Sequence, residues 1–363
     1  MNRKNCRSII YTRTPLKGKF TFADEFQLYP CDFQGAPNSF NSDEFPVVLE
    51  YWIDTDINDE LSGEDETDKS LFGELANLVQ AQQKITRLLS AITNHRFFYN
   101  YHIKRMWGVP VPELDYEELS KNEEEFLKHR EDPPSVIFVN LYTYPNMKND
   151  LQIDNFSNPK FKNVETLSTP LYYLYEPLEN RKKEILLPST LEQIIENYFS
   201  LDKKRRKKID TVCHILCNAL DLMDTMKSLS FLSFVSCIES LVSLEYSKPK
   251  DEVKLSCSLC QSIEESPFKC SKCGKPIWGI AAKFKQFLTD FVFSDDEWVK
   301  KYQSIYRIRS KMVHQGALLL GDEEFDWGSD KKKTEEWLLH LELQQIARMA
   351  VTNWLLSQEL KDE

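Results

Sequence analysis

Hydrophobic positions recur at helical spacing through the second half of the chain, from Leu191 onward. Apolar side chains three and four residues apart fall on one face of an α-helix, so each such stripe predicts a helix that packs against a core. The pattern predicts a helical bundle over residues 191–363, with a non-helical insertion at 250–278 after the second stripe. The five stripes run over Ile209–Met223, Phe231–Val242, Phe284–Phe291, Trp298–Met312 and Leu339–Trp354.

Residues 1–190 have a different pattern, in which short runs rich in β-branched and aromatic residues predict strands. One long amphipathic helix is predicted between them, from Leu71 to Thr93, with Gln82 as the single polar gap in its apolar stripe. Fold class is therefore predicted as α+β, a mixed α/β N-terminal domain followed by an all-α bundle from residue 191. The predicted strands are Ser8–Thr12, Lys19–Ala23, Pro46–Ile53, Arg96–Tyr101 and Val136–Tyr144.

Composition narrows the class of protein. The chain has 363 residues, of which 41% are hydrophobic and 12% aromatic, which is typical of a globular protein with a large core. A net charge of −11 argues against a general polyanion binder, so nucleic-acid contact would need a local basic patch. The N-terminus has no signal-peptide pattern, and the apolar stretch 228–244 is too short and serine-rich to span a bilayer. We expect a cytoplasmic protein without membrane contact.

Four of the nine cysteines form two Cys-x-x-Cys motifs, Cys257/Cys260 and Cys270/Cys273, with nine residues between them. Each motif can present two thiolates to one ion, and four sulfurs complete a tetrahedral zinc site. Such a site has no open position for water, so the predicted zinc is structural and staples the insertion, and no catalytic metal is expected. An iron–sulfur centre is the alternative occupant.

A second candidate site lies near the end of the fourth stripe, where Arg309 precedes His314. Arginine is a permanent cation whose planar donor fork suits phosphate, and histidine transfers protons near neutral pH. Together they are sufficient, without a metal, to cleave RNA by attack of its own 2′-hydroxyl. The spacing alone is weak support, because Arg96 and His102 occur in the same order in a predicted strand.

The surroundings of Arg309 are more informative than the spacing. Arg309 continues an apolar stripe, so its guanidinium needs a carboxylate, a phosphate or a second subunit as partner. Glu239 is the candidate carboxylate, because it is the only charged residue between Lys227 and Glu245. A purely structural ion pair between Glu239 and Arg309 is the competing interpretation, and it is compatible with catalysis.

Helix geometry separates the Arg309 and His314 side chains. Five residues correspond to about 140° around a straight helix, whereas Arg307, seven residues before His314, would share its face. Gly316 permits a left-handed cap just after His314. Bringing Arg309 and His314 together therefore requires either a distorted last turn or two chains, and the sequence leaves open which arginine pairs with His314.

The order Tyr306-x-x-Arg309-Ser310-x-x-x-His314-x-Gly316 at the end of a helical bundle resembles the HEPN superfamily, and is similar to the ApeA-like HEPN proteins of bacterial anti-phage defence. The apolar helix that carries Glu239 and the segment Tyr198–Arg206 resemble the same family. The resemblance covers residues 191–363, about half of the chain.

This resemblance implies a metal-independent endoribonuclease that acts as a homodimer or higher oligomer, leaving 2′,3′-cyclic phosphate and 5′-hydroxyl ends. Arg309 and His314 would be the catalytic pair, with Ser310 where the family often has asparagine, aspartate or histidine. We place Glu239 beside them. The basic run 203–208 is either a solvated helix face or a phosphate-binding patch. The predicted RNA-binding residues are Lys203, Lys204, Arg205, Arg206, Arg307 and Lys311.

The predicted biological role is a toxin-like effector of anti-phage defence or stress, with an RNA substrate for which tRNA is one candidate. Residues 1–190 would then be a sensor or regulator that responds to a phage-derived or protein trigger. The alternative is a non-catalytic, zinc-stapled HEPN-like module for dimerisation or for binding RNA or protein, in which Arg309 and Glu239 are structural.

Overall fold

A computed structural model describes the chain in two compact units. The first unit consists of Met1–Thr86, Phe97–Glu165 and Pro177–Leu186, and the second of Arg87–Arg96, Thr166–Glu176 and Leu187–Glu363. The second unit thus takes in two segments that precede residue 190, so a single cut in the sequence does not separate the units. The residues described are 3–31, 44–54, 66–99, 106–110, 136–140, 152–174, 184–246, 255–256, 260–264, 270–274, 279–323 and 331–358.

The first unit is built on an antiparallel sheet with strand order β2-β3-β4-β1-β5, and β8 also pairs with β1. Each of the five predicted ranges overlaps a strand. Arg3–Thr12 and Phe45–Asp54 are longer than predicted, and Phe20–Phe22 and Phe97–Phe98 are shorter. The strand Phe26–Pro30 was not predicted. The strands of this unit are β1 (Arg3–Thr12), β2 (Phe20–Phe22), β3 (Phe26–Pro30), β4 (Phe45–Asp54), β5 (Phe97–Phe98), the pair β6 (Met106–Pro110) and β7 (Val136–Asn140), and β8 (Gln152–Ile153).

The long helix α1 (Glu66–Ile92) confirms the predicted amphipathic helix. The one polar position in its apolar stripe, Gln82, is explained by contacts with the sheet. Gln82 is buried, and its Nε2 donates a hydrogen bond to the Tyr51 hydroxyl at 2.7 Å and another to the Ser8 hydroxyl. A buried amide needs hydrogen-bond partners, and these two hydroxyls on β4 and β1 supply them. The gap is therefore a polar contact between helix and sheet.

A buried carboxylate, Glu50 on β4, organises another part of the first unit. Its oxygens accept hydrogen bonds from Arg7 at 2.7 Å, Gln27 at 2.6 Å and Tyr29 at 2.7 Å, and from both the backbone N–H and the hydroxyl of Ser157 at 2.7 Å. Burial alone would raise the pKa of the Glu50 carboxyl, but the hydrogen bonds outweigh it and lower the pKa below its usual value. This network ties the segment around Ser157 to the sheet.

The second unit is mainly helical, and all five predicted stripes lie on helices. The helix α5 (Lys227–Glu245) contributes a large buried face, including Phe234, Val235 and Ile238 at 0% exposure. The other elements are β9 (Thr166–Leu167) paired in parallel with β10 (Leu187–Pro188), α2 (Thr169–Leu174), α3 (Leu191–Ser200), α4 (Lys203–Leu222), the hairpin β11 (Leu255–Ser256) and β12 (Ile263–Glu264), α6 (Ile280–Phe291), α7 (Asp296–Gln315), α8 (Leu320–Glu323) and α9 (Lys331–Leu356).

This arrangement establishes the α+β class. The insertion between α5 and α6 carries the hairpin β11–β12, as expected for a non-helical segment at this place. By length and composition α5 could cross a membrane, but half of that apolar stretch is buried in the protein, as in the core helix of a globular unit. Cys213 and Cys217 are buried in the face of α4, which confirms that they pack in the core.

Arg96, the arginine of the other Arg–His pair, has a structural role in the second unit. Its guanidinium donates two hydrogen bonds to the Asp221 carboxylate, at 2.9 and 2.8 Å, and a third to the Ser90 hydroxyl at 3.2 Å. Such a bidentate pair is among the stronger polar contacts in proteins. His102 lies outside the described residues.

Replacing Glu50 by glutamine should lower the free energy of unfolding by about 2–4 kcal/mol, because a neutral amide leaves Arg7 without its counter-ion and must donate where the carboxylate accepted. The measurement is urea unfolding of the full chain. Glu184→Gln is the control, since Glu184 faces Lys17 at 3.8 Å with both side chains exposed, and we expect less than about 1 kcal/mol there.

The difference in stability between wild type and Glu50→Gln should also depend on pH. The lowered pKa of Glu50 means that its contribution to stability is complete above the ordinary glutamate pKa of about 4.3 and is lost as the pH falls through the lower, folded-state pKa. The difference in stability between wild type and Glu50→Gln should therefore shrink below that pH. A difference that stays constant down to the acid transition would contradict this account.

Candidate functional site

The helix α7, which carries Arg309 and His314, has clear signals at both ends. Asp295 caps its start by accepting a hydrogen bond from the Trp298 N–H at 3.1 Å. Gly316 ends the helix in the left-handed conformation, with φ of 68°, and its N–H donates to the Met312 carbonyl at 3.2 Å. Glycine adopts this conformation without steric cost, so the predicted glycine cap is confirmed.

Arg309 meets the carboxylate that the sequence indicated. Its Nη2 donates a hydrogen bond to Oε2 of Glu239 on α5 at 3.1 Å, and the two side chains are only 23% and 16% exposed. The guanidinium carbon also lies 5.7 Å from the centre of the Tyr306 ring, within range of a cation–π contact. An arginine on an apolar stripe is thus accommodated by an ion pair with the core helix.

Tyr306 is a side chain that the sequence analysis did not include among the candidate site residues. It lies one helical turn before Arg309 and is half-buried. Burial, followed by the negative charge of Glu239, raises the pKa of the Tyr306 hydroxyl, so the phenol stays protonated and able to donate. The available signal was its position three residues before an arginine on the same helix.

His314 is exposed and lies in the last turn of α7, which remains α-helical through Gln315. Of the two alternatives left open by the sequence, the distorted last turn does not occur in this chain, since the left-handed residue is Gly316 and the turn before it is regular. Five residues along a regular helix separate the two positions by about 7.5 Å in rise and about 140° in rotation. Within one chain Arg309 and His314 do not share a face.

The remaining candidates on α7 differ in exposure. Ser310 is half-buried, whereas Arg307 and Lys311 are exposed. Arg307 is two regular turns before His314 and lies on its face of the helix, with a long contact of 3.5 Å to the Ser304 hydroxyl. Arg307 can therefore reach a ligand held near His314, while Arg309 points to the core helix.

The basic run opens α4, where Asp202 caps the helix by accepting from the N–H groups of Lys204 and Arg205, both at 2.9 Å. Arg206 folds back and donates to the carbonyls of Phe199 and Leu201, so it closes the turn between α3 and α4. Arg205 contacts Gln358 at 3.2 Å and Asp202 at 3.7 Å. The fully exposed lysines available to a phosphate are Lys203, Lys204, Lys207 and Lys208.

The insertion brings three of the four predicted metal ligands together. The sulfurs of Cys260, Cys270 and Cys273 all lie within 4.8 Å of one another, and the Cys260 and Cys270 sulfurs are 3.4 Å apart as free thiols. Cys257, the fourth predicted ligand, lies outside the described residues. The turn after Cys273 is closed by Gly274 in the left-handed conformation, whose N–H donates to the Cys270 carbonyl at 2.8 Å.

The donor set fits a tetrahedral zinc ion. Sulfurs at about 2.3 Å from zinc stand about 3.8 Å from each other in a regular tetrahedron, and the 3.4 Å between the Cys260 and Cys270 sulfurs and the 4.8 Å limit on all three pairs are compatible with this spacing. Gln261 directly follows Cys260 with φ of 57°, as Gly274 follows Cys273 with φ of 69°. Both motifs thus end in the same backbone turn, although only one of them has the glycine that makes this turn inexpensive.

The Arg309–Glu239 pair should be measurable as a coupling energy. In a double-mutant cycle with Arg309→Met and Glu239→Gln, we expect a coupling of about 1–2 kcal/mol, because either single change leaves a half-buried group without its partner. The exposed pair Lys331 and Glu335, at 3.8 Å, is the control and should give below about 0.5 kcal/mol. Equal coupling for the two pairs would contradict the structural role of Glu239.

No protein-family model, no curated protein and no solved structure matches this chain. The resemblance of residues 191–363 to the HEPN superfamily therefore stays a prediction from the motif around Arg309 and His314. The functional interpretation rests on that motif and on the geometry of the residues described above.

Proposed function

We propose that the protein is a metal-independent endoribonuclease whose second unit is a HEPN-like bundle. The observation that carries the proposal is the exposed His314 in the last turn of the helix that also carries Arg309. An arginine anchored by a carboxylate is held in a fixed direction, and an exposed histidine is free to reach a substrate. The coarser α+β fold and the helical second unit are compatible with this assignment.

In the proposed reaction, neutral His314 accepts the proton of an RNA 2′-hydroxyl while the 2′-oxygen attacks the adjacent phosphorus. The new bond from the 2′-oxygen to phosphorus forms as the bond from phosphorus to the 5′-oxygen breaks, and the leaving 5′-oxygen takes a proton from solvent water. In the alternative, protonated His314 delivers the proton to the 5′-oxygen and solvent water accepts the one from the 2′-hydroxyl. An arginine guanidinium stabilises the charge on the phosphate oxygens. The products carry 2′,3′-cyclic phosphate and 5′-hydroxyl ends, and DNA is not a substrate because it lacks the nucleophile.

The geometry of α7 favours a site shared by two chains. Arg309 and His314 of one chain lie on different faces of a regular helix, so a site that uses both takes Arg309 from one chain and His314 from the other. The residue before His314, Val313, is 52% exposed, which is unusual for a large apolar side chain. We therefore place a contact between two copies of the chain at this end of α7.

Further exposed apolar residues occur on segments that the structure joins at the same end of the second unit. The segment after α7 is joined to the start of α5, because the Leu319 N–H donates to the Ser228 hydroxyl at 2.8 Å. It is also joined to the start of α9, because the Leu320 N–H donates to Glu336 at 2.8 Å. Apolar side chains exposed in a group mark protein interfaces. The exposed residues on these segments are Met226, Leu229, Leu318, Trp337 and Leu338.

The other predicted parts take supporting roles in this proposal. Lys203, Lys204, Arg307 and Lys311 are exposed cations that would bind the RNA backbone. Zinc bound to Cys257, Cys260, Cys270 and Cys273 has no open coordination position and would cross-link the insertion. The first unit would act as the sensor or regulator of a toxin-like effector of anti-phage defence or stress.

One observation favours the alternative of a non-catalytic interaction module. Arg309 is already paired with Glu239, so its guanidinium does not require a phosphate for compensation. In that case the second unit would be a zinc-stapled module that dimerises or binds RNA or protein, and the exposed apolar end of α7 would be its interface. Cleavage of RNA separates the two functions.

Purified protein should cleave labelled RNA in the presence of EDTA, and His314→Ala should lower the rate by about 10²–10⁴-fold, because the proton acceptor is lost. Gln315→Ala is the matched control, since Gln315 is exposed in the same helical turn and should leave the rate unchanged. The 5′-hydroxyl end of the product is checked by testing whether it can be phosphorylated without prior removal of a phosphate. RNA cleavage that is equal in wild type and His314→Ala would contradict the role of His314. Cleavage that is absent from the wild type with every RNA class supports the non-catalytic module.

Mixing inactive variants tests the shared site directly. Arg309→Lys and His314→Ala should each be inactive alone, and a mixture that exchanges subunits should recover about one quarter of the wild-type rate, because half of the dimers are mixed and one of their two sites is intact. Arg309→Lys keeps the positive charge beside Glu239, which protects the fold. No recovery in a mixture shown to contain mixed dimers would place both residues of each site in one chain.

A further inference from the structure

The residue that links the two halves of the metal site is Ser262, which sequence spacing did not indicate. Its hydroxyl oxygen lies 3.1 Å from the Cys260 sulfur and 3.1 Å from the Cys270 sulfur, one from each Cys-x-x-Cys motif. The two sulfurs are 3.4 Å from each other, so the three atoms form a compact triangle. A hydroxyl in this position can donate a hydrogen bond to either sulfur.

Local backbone structure explains how Ser262 reaches both sulfurs. Gln261, between Cys260 and Ser262, adopts the left-handed conformation with φ of 57°, which turns the chain sharply after the first motif. The next residue, Ile263, then begins β12 and pairs with Ser256 on β11. The serine is thus fixed between a tight turn and a short strand.

The charge of the site gives the hydroxyl a role. Four thiolates on one Zn²⁺ leave a net charge of about −2, which is stabilised by hydrogen-bond donors around the sulfurs. Hydrogen bonds to an anionic acceptor are stronger than those between neutral groups. The Ser262 hydroxyl is well placed to supply such a bond in the half-buried interior of the insertion.

We propose that Ser262 is a positioning residue of the metal site, whose hydroxyl lies between the Cys260 and Cys270 thiolates, donates its one proton to either of them, holds the two motifs at metal-binding distance and raises the affinity for zinc. The proposal rests on the metal site and is independent of ribonuclease activity. Its test measures zinc binding. The role of Ser262 can therefore be disproved while the proposed RNA cleavage holds, and RNA cleavage can be disproved while the role of Ser262 holds.

The experiment measures zinc affinity of the full-length chain by competition with a chromophoric chelator, for wild type, Ser262→Ala and Ser262→Thr. We expect Ser262→Ala to bind zinc about 10-fold more weakly, within the range seen for residues that support metal ligands. Ser262→Thr keeps the hydroxyl and suits the start of a strand, so it should bind within about 2-fold of wild type. Far-UV circular dichroism of each zinc-loaded protein checks that the helical unit is intact.

Cobalt substitution tests the ligand set in the same proteins. Wild type and Ser262→Ala should both give the ligand-field spectrum of four sulfur ligands, since the hydroxyl contacts sulfur and does not bind the metal. A wild-type spectrum of mixed sulfur and oxygen ligands that changes in Ser262→Ala would make the serine a ligand and overturn the proposal. The proposal would also be overturned if Ser262→Ala left the zinc affinity unchanged. The same holds if Ser262→Ala and Ser262→Thr lost zinc affinity equally.

Discussion

The ion pair between Arg309 and Glu239 is the contact on which the arrangement of the proposed site depends. A half-buried guanidinium is costly without a partner, and Glu239 is the only charged residue between Lys227 and Glu245, the two ends of α5. The pair therefore fixes how α7 is rotated against the core helix. Once Arg309 faces α5, the regular geometry of α7 directs His314 away from it, toward the exposed end beside Val313.

The same requirement, that buried polar groups be compensated, shapes other parts of both units. Glu50 holds Ser157 against the sheet through several hydrogen bonds, and Gln82 joins α1 to two strands. Arg96 donates to the Asp221 carboxylate through Nε and Nη2. These contacts explain why a charged or polar residue interrupts an apolar pattern, and they show that such an interruption marks a structural partner as often as a functional site.

Much of the fold was predictable because it follows from local periodicity. Stripes of apolar residues located α1 and five of the eight described helices of the second unit, and runs of β-branched and aromatic residues located five of the eight described strands of the first unit. The strand Phe26–Pro30 was not predicted because it is short, ends in proline and directly follows an acidic turn. Of the two alternatives for Arg309 and His314, the distorted last turn does not occur because a left-handed glycine caps a helix without disturbing the preceding turn.

By itself the sequence determined the ligand types, the spacing of the cysteine motifs, the position of His314 in a last helical turn and the identity of Glu239 as a lone carboxylate. Tertiary structure alone decided which of these groups meet. Glu239 and Arg309 are 70 residues apart, and their contact depends on the rotation of two packed helices, which periodicity does not specify. Ser262 reaches the sulfurs only through the left-handed turn at Gln261, and a glutamine in the sequence does not predict this backbone conformation.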